Sequence, residues 1–201
     1  YNDYLKIYDL LKDKNISIPK IIENYDDNLL VITEDFGNLR FDKIIENYSI
    51  KDLLFYAVET LIILKNSIKF NDKIFLKTYN IDIFVKEISE LTTYYLSYIE
   101  KADKKLSEDF IEIWKEEYKK INFEFNSFVH KDYNINNLIL LPSRKKHLKC
   151  GVIDFQSAFY GESSWDLFSL LEDSRFLFTN KYNNYFIKEF YKKTNQTISF
   201  D

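Results

Sequence analysis

The stretch from Phe128 to Asp166, FVHKDYNINNLILLPSRKKHLKCGVIDFQSAFYGESSWD, limits what this chain can fold into more than any other part of it. Four polar residues, His130, Asp132, Asn137 and Asp154, stand at the ends of short apolar runs. Ser127 to Val129 leads into His130-Lys131-Asp132, and Asn137 opens a second run that continues to Leu141. Pro142, Ser143 and the basic cluster Arg144 to His147 make a turn, after which Cys150 to Ile153 return the chain to Asp154. The pattern predicts a polar loop followed by an antiparallel hairpin. Asp132, Asn137 and Asp154 then converge at one mouth of that hairpin.

Two carboxylates and an amide form an oxygen set suited to a hard cation such as magnesium (Mg2+). Phosphoryl transfer asks little covalent chemistry of a protein. It needs metal ions against the phosphate charge and one residue to orient the attacking hydroxyl. The order H-x-D-x-x-x-x-N, then D-F, supplies those parts. The same residues admit a second reading: His130 and Asp132 lie two apart on an extended segment, face the same side and could hold zinc or iron with Asp154 for hydrolysis. That chemistry wants a further histidine, and His147, in the basic turn, is the one left.

His130 to Asn137 and Ile153-Asp-Phe-Gln156, with Tyr160-Gly161 and Asp166-Leu-Phe-Ser-Leu-Leu-Glu-Asp-Ser-Arg175, resemble the aminoglycoside phosphotransferase and choline kinase superfamily of small-molecule kinases. Within it they look most like the bacterial kinases that phosphorylate N-acetylmuramate and N-acetylglucosamine at the anomeric hydroxyl. The resemblance implies an α+β, protein kinase-like fold, with a remnant of the ATP-binding small lobe over residues 1–36 and a mainly helical catalytic lobe over residues 37–201. It implies transfer of the ATP γ-phosphoryl group to a small-molecule hydroxyl with Mg2+. Asp132 is then the catalytic base, Asn137 and Asp154 the metal ligands, and His130 a structural brace for the loop. Asn134 and Gln156 become candidates for substrate contact. The family usually has His where this chain has Asn134, and Arg or Gly where it has Lys131. Aminoglycosides, choline and other small alcohols remain alternative acceptors, and a catalytically silent kinase-like binding module is the non-enzyme alternative.

Asp166 carries two readings, both structural. Ser163 and Asp166 have capping-box spacing, which makes the aspartate a helix N-cap partner; the kinase-like reading has it bonding the backbone of the catalytic loop. Further upstream, Leu29-Leu-Val-Ile-Thr33-Glu34-Asp35-Phe36-Gly37 is an apolar strand with an acidic end. It resembles the family's hinge, where Thr33, Glu34, Asp35 and Phe36 receive the adenine ring.

The remaining segments read as scaffold. Tyr4, Leu5, Tyr8 and Leu11 predict a helix that stops near Asn15, and Lys20–Tyr25 and Leu29–Glu34 predict a hairpin turned by Asp26-Asp27-Asn28. Ser49 and Asp52 again have capping-box spacing, followed by one apolar face of Ile50, Leu53, Leu54, Ala57, Val58 and Leu61. A helix over Ile81 to Ile99 carries Tyr94, Tyr95 and Tyr98, and a third carries Phe110, Ile111, Trp114, Tyr118 and Ile121; both read as core beneath the hairpin. Tyr182 to Lys193 predicts the last helix.

The net charge of −4 gives no basic field for nucleic acid, and no apolar run approaches the length of a membrane span. One cysteine, Cys150, can form no internal disulfide, which fits the cytoplasm, and its apolar surroundings predict a buried, inert thiol. The chain does not begin with Met, its glycines (Gly37, Gly151 and Gly161) form no phosphate-covering loop, and no lysine lies on an apolar strand before the hinge-like segment. The expectation is a piece of a longer protein, with most of the small lobe, or a fused domain, upstream.

Overall fold

A computed structural model describes residues 1–68, 76–96, 98, 104–121, 123, 125, 127–176 and 180–194. Contacts divide the chain into two units, one of Tyr1–Lys77 with Asn126–Asp201 and one of Thr78–Phe125.

The first unit is organised around one long helix. Helix α1 (Asn2–Leu11) is followed by strands β1 (Ile21–Tyr25) and β2 (Leu30–Thr33), a short helix α2 (Phe41–Ile44) and the long helix α3 (Ile50–Ser67). The Asp52 N–H bonds the Ser49 Oγ at 3.3 Å, so Ser49 does cap the start of α3. Leu53, Leu54, Ala57, Val58, Leu61 and Leu64 are buried along it, the stripe expected of a helix that packs on one face. After strand β3 (Lys77–Thr78) and the second unit come β4 (Ser127–Val129), β5 (Leu138–Leu140), β6 (Cys150–Val152) and β7 (Phe159–Gly161), then α6 (Ser164–Leu171) and α7 (Asn180–Lys193). β5 pairs antiparallel with β6, Leu138 against Val152, and β4 pairs antiparallel with β7. α3 packs against β4, β6, α6, α7 and the hairpin turn. All three residues of β4, β5 and β6 are buried, β4 and β6 packing on α3 and β5 on α2.

β1 and β2 form a two-stranded ribbon, irregular between Ile21 and Glu23 and turned through a single 3₁₀ turn, Asp26–Asn28. Leu29 leaves that turn with φ 52°, a left-handed conformation a leucine rarely takes. The segment on either side of the ribbon is stitched to the central hairpin. Ser17 Oγ donates to the Leu148 carbonyl at 2.6 Å, the Val152 N–H to the Ser17 carbonyl at 2.8 Å, and the Leu140 N–H to the Leu39 carbonyl at 2.8 Å.

The second unit pairs α4 (Ile81–Glu90) with α5 (Lys104–Lys120). Asn80 caps α4 through the Ile83 N–H at 3.0 Å, and Phe84 meets the rings of Trp114 and Tyr118 between the two helices. Two expectations are corrected here. α4 ends at Glu90 and continues as a wider π turn, Leu91–Leu96; residue 99 lies outside the described residues. Tyr94, Tyr95 and Tyr98 are not core: all three are exposed, Tyr98 at 89%, and Trp114 and Ile121 of the third expected stripe are exposed as well. The π turn breaks the spacing that would hold the tyrosines on one face, and two helices bury only the side that each shows the other.

Candidate active site

The segment between β4 and β5 is held from several directions. The Asp166 carboxylate, in the first turn of α6, accepts the His130 N–H at 2.7 Å and the Lys131 N–H at 3.1 Å. Trp165, beside it, donates its indole N–H to the Lys131 carbonyl at 3.3 Å. Lys131 takes φ 81°, and these bonds keep it there. Of the two readings of Asp166, the geometry is that of the loop-bonding one. Ser163 has helical backbone angles and makes no capping bond. Burial pushes the Asp166 carboxyl up to about 7, against the two N–H donors, which favour its charged form.

His130 is fully buried, and its Nε2 lies 3.0 Å from the Ile153 carbonyl. Burial lowers its pKa to about 4, so the ring is neutral at pH 7 and Nε2–H is the donor. The histidine thereby ties the loop to the strand that delivers Asp154. Tyr133 crosses it edge to face and donates its hydroxyl to the Ala57 carbonyl of α3 at 3.0 Å.

Asp132 differs from its neighbours. Its carbonyl accepts the Asn134 N–H and the Asn137 Nδ2–H, both at 2.9 Å, while its carboxylate is exposed and takes no hydrogen bond from a described residue. The loop is thus pinned and its one acidic group left available. Asn134 Oδ1 accepts the Asn136 N–H at 3.0 Å, a small Asx turn that starts the 3₁₀ turn Ile135–Asn137.

Asn137 and Asp154 sit at the same end of the hairpin, since the Ile153 N–H bonds the Asn137 carbonyl at 3.1 Å and carries the β5–β6 pairing one step further. Asp154 is exposed with φ 66°, and the Gln156 amide donates to its Oδ1 at 2.6 Å. Because the Asn137 nitrogen is committed to Asp132, its Oδ1 is the atom left to face a cation. That oxygen and the Asp154 carboxylate fit a hard divalent ion. Among the described residues no three of His, Cys, Asp and Glu come together as a metal-holding group, and the His130 Nε2 is spent on the Ile153 carbonyl. His147 instead meets the Asn15 carbonyl at 2.9 Å.

The acidic end of β2 is clamped to the hairpin. Thr33 ends the strand opposite Ile21; Glu34 forms an ion pair with Arg144 at 2.8 Å; the Arg144 guanidinium lies 4.9 Å over the Phe36 ring. Phe36 in turn lies against Gly151, where a Cβ would come within 2.7 Å of the ring. Asp35 Oδ1 accepts the Gly37 N–H at 2.7 Å, and Gly37 takes φ 75°, where a side chain would be strained. Trp165, Arg144 and the stack of Tyr4 on Phe155, 5.0 Å between centroids, are contacts no sequence spacing announces. Only the position of Trp165 next to Asp166 hints at its place.

The model of the ecdysteroid kinase-like family matches residues 57–199. The N-acetylmuramate/N-acetylglucosamine kinase of Neisseria meningitidis serogroup B is 26% identical over 179 residues, 85% of this chain and 50% of that protein. Its namesake in Caulobacter vibrioides is 46% identical over 48 residues, 24% of this chain and 13% of that protein. The chain therefore spans about half the length, at most, of these curated relatives. Among solved structures, choline kinase LicA from Streptococcus pneumoniae superposes with TM-score 0.67 at 15% identity, covering 99% of this chain and 64% of that one. The streptomycin–ATP ternary complex of the aminoglycoside phosphotransferase APH(2")-IIa gives TM-score 0.64 at 19% identity, covering 97% and 67%. The fold is that of the aminoglycoside phosphotransferases and choline kinase.

Proposed function

This chain belongs to the ecdysteroid kinase-like family, and from that premise we propose that its protein transfers the γ-phosphoryl group of ATP to a hydroxyl of a small molecule. One observation carries the reading. Asp132 stands on a loop fixed by Asp166, Trp165 and Asn137, yet its own carboxylate is free to meet an incoming hydroxyl. In the proposed reaction Asp132 orients the acceptor hydroxyl and takes its proton as the oxygen attacks the γ-phosphorus and the bond to ADP breaks. Asn137 Oδ1 and Asp154 would hold Mg2+, which when bound offsets the phosphate charge. Thr33 to Phe36 would receive the adenine; the backbone groups of Asp35 and Phe36 enter no backbone hydrogen bond among the described residues, and so remain available to the base. In this reading residues 1–36 belong to the nucleotide-binding lobe and residues 37–201 to the catalytic lobe.

The acceptor proposed is an amino sugar phosphorylated at its anomeric hydroxyl, supported by the likeness over 85% of this chain to a kinase of N-acetylmuramate and N-acetylglucosamine. A reaction that consumes ATP would run in the cytoplasm, with no call for nucleic acid or membrane. The test is Asp132→Asn in the natural full-length protein. The amide keeps the shape and loses the charge, so ATP binding should persist while turnover drops about 10²–10⁴-fold; a loss of less than about tenfold removes Asp132 from this role. With N-acetylglucosamine the product should be the sugar 1-phosphate.

A further inference from the structure

Beside Asp132 stands a group of charges that the proposed reaction leaves unused. Arg40, just before α2, donates from Nε and Nη2 to the two oxygens of Asp42 at 2.6 and 2.8 Å. Arg175, in the turn after α6, does the same to Asp173 at 2.8 and 3.0 Å, and adds its own backbone N–H at 3.0 Å. α2 packs on the Ile135–Asn137 turn, Asp166 holds α6 to the loop before Asp132, and both Asp42 and Asp132 lie within electrostatic range of the Arg175 guanidinium. The pairs are built alike. The Asp173 side chain is 1% exposed against 52% for Arg175, and Asp42 17% against 41% for Arg40. Each keeps its carboxylate inside and turns its arginine outward. Nη1 of Arg175 makes no hydrogen bond with a described residue.

Resting on the kinase reading above, we propose that the Arg40–Asp42 and Arg175–Asp173 pairs form the wall that receives the acceptor, and that this acceptor is a polyhydroxylated sugar rather than a polycation or a quaternary ammonium. Lys43 adds a second cation to Asp42 at 3.7 Å, so the wall carries no net negative charge to hold a polycation. Each guanidinium spends its Nε and Nη2 edge on its own aspartate, which leaves Nη1 and the second Nη2 N–H as outward donors. Fixed donors beside carboxylate edges suit sugar hydroxyls, each of which donates and accepts at once. The internal ion pairs also hold the arginines in place before a ligand arrives, so little rotamer freedom is left to lose on binding. A quaternary ammonium would ask instead for an aromatic face.

The test compares N-acetylglucosamine, choline and kanamycin as acceptors for the full-length protein, with Arg175→Lys and Arg40→Lys as variants. Lysine keeps a partner for each aspartate but loses the planar fork and its outward N–H. Each variant should raise the KM for N-acetylglucosamine about 10- to 100-fold while the KM for ATP stays unchanged. An unchanged acceptor KM in both variants overturns the wall, as does a wild-type preference for choline or kanamycin. Should the wild type phosphorylate none of the three, the kinase reading fails. Calorimetry then still decides the wall: N-acetylglucosamine binding that weakens in both variants supports it, and no binding to the wild type refutes it.

Discussion

Replacing Asp166 with Asn separates the hydrogen bonding of this carboxylate from its charge. Burial raises the Asp166 pKa from 3.8 to about 7 in the folded chain. Between those values the native state therefore keeps a proton that the unfolded chain has released. Its contribution to stability is fully present below pH 3.8 and is lost as pH rises through 7. From pH 6 to pH 8 the loss integrates to roughly 1.4 kcal/mol. His130 works in the other direction, because burial lowers its pKa from 6.5 to about 4; its contribution is present above 6.5 and is lost as pH falls through 4. Over the same interval it adds roughly 0.8 kcal/mol. In the wild type the His130 gain offsets a little over half of the Asp166 loss, whereas the Asp166→Asn variant keeps only the His130 gain. The variant also carries a pH-independent cost of about 1–3 kcal/mol, since one amide oxygen cannot serve both the His130 and Lys131 N–H groups. Urea denaturation followed by circular dichroism at pH 6 and pH 8 measures both quantities. The stability gap between variant and wild type should narrow by roughly 1.4 kcal/mol at the higher pH. A gap that stays constant over this interval would show that Asp166 is already ionised at pH 6 and that the burial reasoning is wrong.

Asp154→Asn retains a residue that tolerates the left-handed backbone and removes one charge, so in the proposed kinase it should raise the Mg2+ concentration needed for half-maximal turnover without lowering the melting temperature. Asn137→Ala should raise that requirement too, and an unchanged Mg2+ titration with a lower melting point would make Asn137 purely structural. Gly151→Ala drives a methyl group to 2.7 Å from the Phe36 ring and 3.1 Å from Leu141. It should destabilise the fold by about 1–3 kcal/mol and disturb the clamp between Glu34, Phe36 and Arg144; an unaltered denaturation midpoint would mean that Phe36 does not rest on this strand.

The central hairpin and its loop were legible in the sequence because their signals are local. Alternating apolar runs, a proline-containing turn and polar residues at the run ends are each satisfied within a few residues, and Asn137 and Asp154 meet at the hairpin mouth through pairing alone. Burial was not legible in the same way. The aromatic positions of α4 and its extension, Tyr94 and Tyr95 included, look like core by spacing, but whether a stripe is covered depends on what packs on it. The clamp of Arg144 on Glu34 was likewise invisible, since its partners are far apart in the chain and neither carries a local preference for the other. Two copies of one motif mark the boundary most clearly. Ser49-Ile-Lys-Asp52 and Ser163-Ser-Trp-Asp166 share the same capping spacing, and the first caps its helix while the second does not. Around Asp52 water can satisfy the carboxylate, so the local bond decides. Asp166 is buried, and a buried carboxylate must find donors; the tertiary fold presents the His130 and Lys131 N–H groups, and those bonds, not the sequence motif, determine what the residue does.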